Sequence, residues 1–242
     1  MSVSTTHSMF DLDLLRSGEL SDATIICEDR TFAVHRSIIC SRSEWFRAAL
    51  DGPYVVAKES SVTIEEIPAD KVWWLLQFIY GGAELSLKDA PGFNSIFVAY
   101  CEAYELGDYF RLPLLTTGVA KALSEQPGPS TSDIQYTTDP FLGGQLTAEY
   151  TYAFFDGVAR AYANNSPAFR PLQRAFVEHT LRQRHILLAD PSFTECLEDE
   201  PCFAKDILLE LLKEHHVAFV DAHTSPRLNE VTQDQLDRLL KD

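Results

Sequence analysis

Residues 21–50, SDATIICEDRTFAVHRSIICSRSEWFRAAL, carry two hydrophobic patterns with one change of period between them. Ala23-Thr24-Ile25-Ile26-Cys27 is apolar and β-branched, and Thr31-Phe32-Ala33-Val34-His35 alternates large with small. Both compositions suit a pleated strand with one face buried. Glu28, Asp29 and Arg30 between them make a polar connection of hairpin length. Past His35 the period becomes helical, with Ile38, Ile39, Trp45, Phe46, Ala49 and Leu50 on recurring turns. Ser41 and Glu44 fit a capping box, the hydroxyl accepting from a free backbone N–H and the carboxylate reaching back. The pattern predicts a β-hairpin feeding two short helices.

Outward from this stretch the punctuation continues. Upstream, Phe10, Leu14 and Leu15 share one face of a short helix that ends at Ser17-Gly18, where glycine suits the C-cap. Downstream, Asp51-Gly52-Pro53 breaks the helix and Ser61-Val62-Thr63-Ile64 reads as a third strand. Residues 70–80 form a helix through Val72, Leu75, Leu76 and Ile79, widened by Trp73 and Trp74 and stopped by Gly81-Gly82. Residues 92–106 give another through Phe97, Tyr100, Cys101 and Tyr104, and residues 110–123 one more with Pro113 near its start.

This order of residues resembles the BTB/POZ domain family. The matching positions are Asp22 before the first strand, Phe32-x-x-His35-Arg36 closing the second, Ile38-Ile39, and Ser43-x-x-Phe46. Phe78-Ile79-Tyr80-Gly81-Gly82, Ala103-x-x-Leu106 and Leu112-x-x-Leu115 follow in order at the family's distances, so the resemblance spans residues 10 to 125. It implies an α+β protein: a BTB/POZ fold, in which a small β-sheet is flanked by a helical cluster, followed by an all-helical C-terminal extension.

The expected division is a tail with a short helix over 1–20, a BTB/POZ-like domain over 21–125 and a flexible linker over 126–145. The helical region then covers 146–222, and a tail with a short helix 223–242. The linker follows from Pro127-Gly128-Pro129-Ser130-Thr131-Ser132-Asp133. In the helical region Leu146, Tyr150, Phe154, Val158 and Tyr162 fall four apart, a buried stripe. Asn164-Asn165-Ser166-Pro167 ends that helix, and Phe169, Leu172, Phe176 and Leu181 mark the next. Asp190-Pro191 and Glu200-Pro201 look like helix starts, the second leading into Phe203, Ile207, Leu208, Leu211 and Leu212. Thr232-x-x-Gln235 caps a last short helix with Leu236, Leu239 and Leu240.

Composition narrows the function classes. A hydrophobic fraction of 45% is ample for a core, while a formal net charge of −16 opposes direct binding to nucleic acid or to an anionic membrane surface. The five scattered cysteines, mostly in apolar runs, suit a reducing interior, so the expected location is intracellular, in cytoplasm or nucleus. The start MSVSTTHS has neither the basic nor the apolar segment of a signal peptide, and no apolar run reaches membrane-span length. Catalytic motifs are missing: there is no Gly-x-Ser-x-Gly elbow, phosphate loop or dinucleotide fingerprint. Cys196, Cys202, His215 and His216 lack the spacing of zinc sites. The expectation is therefore no enzyme, no metal and no cofactor.

The resemblance supplies the site candidates. It implies a protein-interaction module that self-associates as a homodimer and acts as adaptor or scaffold; the alternative is a substrate-receptor adaptor of a cullin-RING ubiquitin ligase. A small-molecule enzyme is the distant third reading. For dimerisation the candidates are Asp22 and Arg36, an acid–base pair lining a charged pocket or else tying strand to helix within one chain. His35, Phe10, Leu14 and Leu15 join them. For a cullin scaffold they are Ala57 and Glu59, in a hydrophobic-x-Glu motif whose hydrophobic position is only alanine, together with Tyr80. Charge in the second half adds a separate idea: Arg170, Arg174, Arg182 and Arg184 form a basic groove for an acidic partner, or an ordinary solvated surface.

Overall fold

The computed structural model describes residues 4–51, 60–82, 87, 95–136 and 144–224, without the side chains of 4–9, 136 and 214–224. Helix α1 (Ser4–Ser17) precedes a hairpin of β1 (Ala23–Cys27) and β2 (Arg30–Val34), followed by α2 (Arg36–Arg42) and α3 (Glu44–Asp51). Strand β3 (Ser61–Ile64) leads to α4 (Ala69–Gly81), α5 (Ile96–Tyr109) and α6 (Pro113–Ser124). The strand order is β2-β1-β3, antiparallel between β1 and β2 and parallel between β1 and β3. Alternation buries Ala23, Ile25 and Cys27 of β1 with Phe32 and Val34 of β2, so one face of the sheet closes on the helices.

The expected elements are present, with local differences. The hairpin is tighter than expected, because Arg30 already pairs with Cys27 and Glu28 takes the left-handed backbone, φ 52°, that a short turn demands. The capping box moves by two residues. Ser43, not Ser41, caps α3, its Oγ accepting from the Phe46 N–H at 3.1 Å and donating to the Phe110 carbonyl at 2.6 Å. Ser41 donates instead to the Ile38 carbonyl at 2.8 Å, and Glu44 is the first residue of α3, as a carboxylate near a helix N-terminus should be. The sixth helix starts at Pro113 rather than Phe110, since Phe110–Leu112 make a turn with Arg111 at φ 53°. Helix α1 also reaches further back than the expected short helix, to Ser4.

The stretch expected as a flexible linker contains regular structure. Ser130 and Asp133 form a reciprocal capping box over a 3-10 turn, and β4 (Ile134–Tyr136) pairs antiparallel with β5 (Gly144–Leu146). The Asp190 carboxylate accepts from the Leu146 N–H at 2.7 Å, tying this small sheet to the helices beyond. Those helices are α7 (Ala148–Ala163), α8 (Arg170–Arg182), α9 (Arg184–Leu187), α10 (Pro191–Asp199) and α11 (Pro201–Thr224). Asp190 also caps α10 through the Ser192 N–H, 3.0 Å away, and proline stands at the first position of both α10 and α11. The last short helix expected over 232–240 lies outside the described residues.

One hydrophobic core runs from Leu15 to Ile207 and so unites the two halves. Phe97 on α5 is its pivot, its ring 5.1 Å from Phe154, 5.7 Å from Tyr150 and 6.3 Å from Phe176. Helix α7 approaches this closely because of Gly157, where an added Cβ would stand 2.8 Å from that of Phe97. The Leu146–Tyr162 stripe read from the sequence is the face that makes this contact.

Candidate interaction surface

Helix α1 has two apolar sides with different fates. Leu12 and Leu15 face inward, and Leu12 lies so close to α4 that a Cβ on Gly81 would sit 2.9 Å from its Cδ1. Arg42 fixes the helix there, donating to the Ile79 and Tyr80 carbonyls at the end of α4 and pairing with Asp11 at 2.6 Å. On the outward side Phe10 is 68% exposed, with Leu14 one turn on and half-buried. Leu20 just beyond the helix is exposed as well, at φ 61°. A large aromatic standing in water on a firmly anchored helix is suited to a protein contact.

Asp22 and Arg36 do not pair through their side chains. The Asp22 carboxylate accepts from the Arg36 backbone N–H at 2.8 Å, capping α2 and tying strand to helix. The Arg36 guanidinium turns the other way, to Asp51 at 2.9 Å, to Ser60 Oγ at 3.2 Å and to the Leu50 carbonyl. Asp22 stays exposed beside α2, so it retains oxygen lone pairs toward solvent. His35 is buried and fully bonded. Its Nε2 is 2.7 Å from the Glu19 carbonyl, which only accepts, so that nitrogen carries the proton. Nδ1 then accepts from the Tyr80 hydroxyl at 3.0 Å, and the same hydroxyl accepts from the His35 backbone N–H at 2.7 Å.

Tyr80 is thereby corrected as a partner contact. It is fully buried, burial pushes its hydroxyl up to about 12, and its work is to hold the β2–α2 corner against α4. Ala57 and Glu59 lie outside the described residues.

The four arginines of the expected groove separate. Arg170 and Arg174 line a cleft of about 270 Å³ between α8 and α11, with Gln173, Asp206, Leu209 and Lys213. Arg182 and Arg184 are not among its lining residues. The cleft is mixed rather than basic, because Arg174 pairs with Glu178 at 2.8 Å, Lys213 with Glu210 at 2.6 Å, and Arg170 stands 3.9 Å from Asp206. Among the described residues no group of three or more His, Cys, Asp or Glu gathers as a metal site, and no helix is long and apolar enough to cross a membrane.

A family model for the BTB/POZ domain matches residues 12–126, which covers the whole sheet and α2 to α6. Residues 12–126 are a BTB/POZ domain. Human Rho-related BTB domain-containing protein 2 is 26% identical over 87 residues, 36% of this chain and 12% of that protein. Human Kelch-like protein 5 is 29% identical over 75 residues, 31% of this chain and 10% of its own length. BTB/POZ domain-containing protein 9 of Bos taurus is 34% identical over 70 residues, 28% of this chain and 12% of that protein. The chain thus spans about a tenth of the length of these relatives.

The seam between the BTB domain and the extension was not visible in the sequence. Arg160 on α7 grips Glu105 of α5 through two bonds, 2.8 and 2.6 Å, and reaches Glu102 at 3.0 Å. Lys71 on α4 holds the other oxygen of Glu102 at 2.7 Å, so four charges bind three helices. The Glu105 hydrogen bonds first, then the charges of Glu105 and Glu102, hold the Arg160 guanidinium above its usual pKa despite its partial burial. The available signal was Glu102 and Glu105, three apart on a mostly apolar helix.

Proposed function

We propose that this chain is a non-enzymatic adaptor that self-associates through the α1 face of its BTB domain, its helices presenting a second surface. A BTB/POZ domain is a protein-interaction module. The observation that carries the self-association is Phe10, exposed on a helix whose opposite side is locked into the core by Leu12, Leu15 and the Arg42–Asp11 pair. Burying that ring against its copy removes apolar area from water without rearranging the domain. Asp22, exposed just before β1 and bonded to the first N–H of α2, suits a polar rim. Five unpaired cysteines, four of them buried, fit a reducing cytoplasm or nucleus.

Recruitment of a cullin is the second reading. It rests on the family likeness, on Glu59 just before β3, and on the extension packed directly against the BTB domain. Light scattering on the full chain separates the readings. The expected result is a dimer that Phe10→Glu converts to monomer with an unchanged melting temperature, since the ring is outside the core. A wild-type monomer at about 50 μM, far above the Kd range of stable dimers, removes the self-association. Uptake of a cullin N-terminal domain in equal ratio, lost in Glu59→Ala, makes the chain a ligase receptor.

A further inference from the structure

Strand β2 is an edge of its sheet, with backbone groups left over. The Thr24 N–H donates to the Ser60 carbonyl at 2.9 Å, so Thr24 and Ile26 turn their peptide groups toward β3. Ala23, Ile25 and Cys27 then turn theirs toward Val34, Phe32 and Arg30 of β2. Thr31 and Ala33, the residues in between, therefore point N–H and C=O away from the sheet, and both are exposed. Among the described residues nothing bonds to these outward groups. A groove of about 370 Å³ runs along this edge, between β2, the C-terminal end of α1 and Trp73 of α4. Its floor is apolar, with Leu15 buried and the Phe32 and Trp73 rings stacked at 5.7 Å. Its rim is basic, since Arg16 and Arg30 line it and no carboxylate does. Arg30 stands over the Phe32 ring at 5.0 Å and bonds Asp70 through one nitrogen, while Arg16 is 3.6 Å from Asp13, beyond hydrogen-bond reach. Both guanidinia keep donors for a further carboxylate. On a chain of net charge −16, such a groove is a local reversal of sign.

We propose that this groove takes an extended acidic segment of a partner protein, added to the sheet as a further strand beside β2. Backbone bonds to Thr31 and Ala33 hold the segment, and its alternate side chains fill the groove. Side chains two apart stand on one face about 7 Å from each other. One aromatic ring over Phe32 and Trp73 is thus flanked by two acids, one toward Arg30 and one toward Arg16. The recognised pattern is acid-x-aromatic-x-acid, which reads the same in both chain directions. A second copy of this chain is the poorer occupant, because pairing the two edges sets the arginines of the copies against each other. Arg16 also stands about 200° round α1 from Leu14, so the groove is separate from the Phe10 face.

Fluorescence anisotropy of the labelled peptide Thr-Asp-Thr-Phe-Thr-Asp-Thr, blocked at both ends and titrated with the full chain, tests this. Half-saturation is expected below about 100 μM, and Arg30→Glu should weaken it about tenfold at an unchanged melting temperature. Phe10→Glu should leave the affinity as it is. Two further peptides probe the strand itself on the wild-type chain, one N-methylated at phenylalanine and one at both neighbouring threonines. Alternate amides of an added strand face its neighbour, so one of these peptides should lose binding and the other keep it. Retention by both overturns the proposal, as does a parent peptide that stays unbound at about 1 mM protein. Equal binding of a peptide with lysine in place of both aspartates overturns it too. A dimer in light scattering that Thr31→Pro dissociates assigns the edge to a second copy instead, and also overturns it.

Discussion

The BTB half and the helical extension handle buried polar groups in opposite ways. In the first, His35 spends both ring nitrogens, Tyr80 bonds twice through one hydroxyl, and Ser43 both accepts and donates. In the second, His179 is fully buried with no side chain bonding either ring nitrogen, and the Gln173 Oε1 and Tyr150 Oη atoms are buried without partners. The first half gets its precision from directional bonds that fix the β2–α2 corner. The extension is held by shape, with aromatic rings packed around Phe97 and a salt-bridge cluster at the rim. A region held by shape accepts a misfit imidazole more readily than one held by bonds.

Breaking the shared pivot should have the largest effect. Phe97→Ala removes the ring that touches Phe154, Tyr150, Phe176 and His179, and should cost about 3–5 kcal/mol, the range for a buried aromatic truncated to a cavity. Because the core is continuous, thermal unfolding followed by CD and by tryptophan fluorescence should remain one transition. All three tryptophans lie in the BTB half, at Trp45, Trp73 and Trp74. Fluorescence that holds its wild-type midpoint while CD shifts would mean the halves fold apart, and the contrast would become one between two domains.

Next in size is the buried histidine. Burial, with Arg182 as the nearby like charge, pulls His179 from 6.5 down to about 4. The unfolded chain therefore binds a proton between those values that the folded chain refuses. Stability is full above about pH 6.5 and falls as pH drops toward 4, by about 3 kcal/mol across the window. Urea titrations at pH 7 and pH 4.5 should show this loss, and His179→Phe should flatten most of it. An unchanged pH profile in His179→Phe would place the acid sensitivity elsewhere.

The sequence carried the BTB half because its signals are local. Strand alternation over 23–34, the period change after His35 and the glycine stop at 81–82 all reappear within a residue or two of their expected places. Caps were less legible: Ser41 and Ser43 both precede acceptable helix starts, and only the Phe110 carbonyl, 67 residues away, selects Ser43. The candidate pair Asp22–Arg36 shows the same limit. The sequence places an acid and a base at the right corner, yet Asp51 and Ser60 claim the guanidinium from later in the chain. Tyr80 was misread as surface because an aromatic at a helix end carries no mark of which side it faces. The linker was misread because proline, glycine and serine describe a chain without helix, and the β4–β5 pairing depends on Asp190 far beyond it. The arginine cluster was adjacent in sequence but not in space, since α8 ends between Arg174 and Arg184.

The two salt-bridge settings in the extension sharpen the comparison at its small end. Arg160 at the seam is 37% exposed and bidentate to Glu105, and Glu102 beside it is only 13% exposed. Arg174 is 73% exposed and pairs with Glu178 one turn along the same helix. Arg160→Met keeps the aliphatic stem and leaves Glu105 without its partner, so it should cost about 1–2 kcal/mol in urea titration. The solvent share of the pair keeps that figure below the cost of a truly buried one. Arg174→Met should cost at most about 0.5 kcal/mol, the worth of an exposed i,i+4 pair, and that little should vanish in 1 M salt. Lys71 still holds Glu102 in the Arg160 variant, so the halves stay docked and the transition stays single. Equal costs at the two sites would mean that the charges at the seam only decorate a contact already settled by Phe97 and Gly157. A larger cost at Arg160 makes them part of what fixes the angle at which the extension leaves the BTB domain.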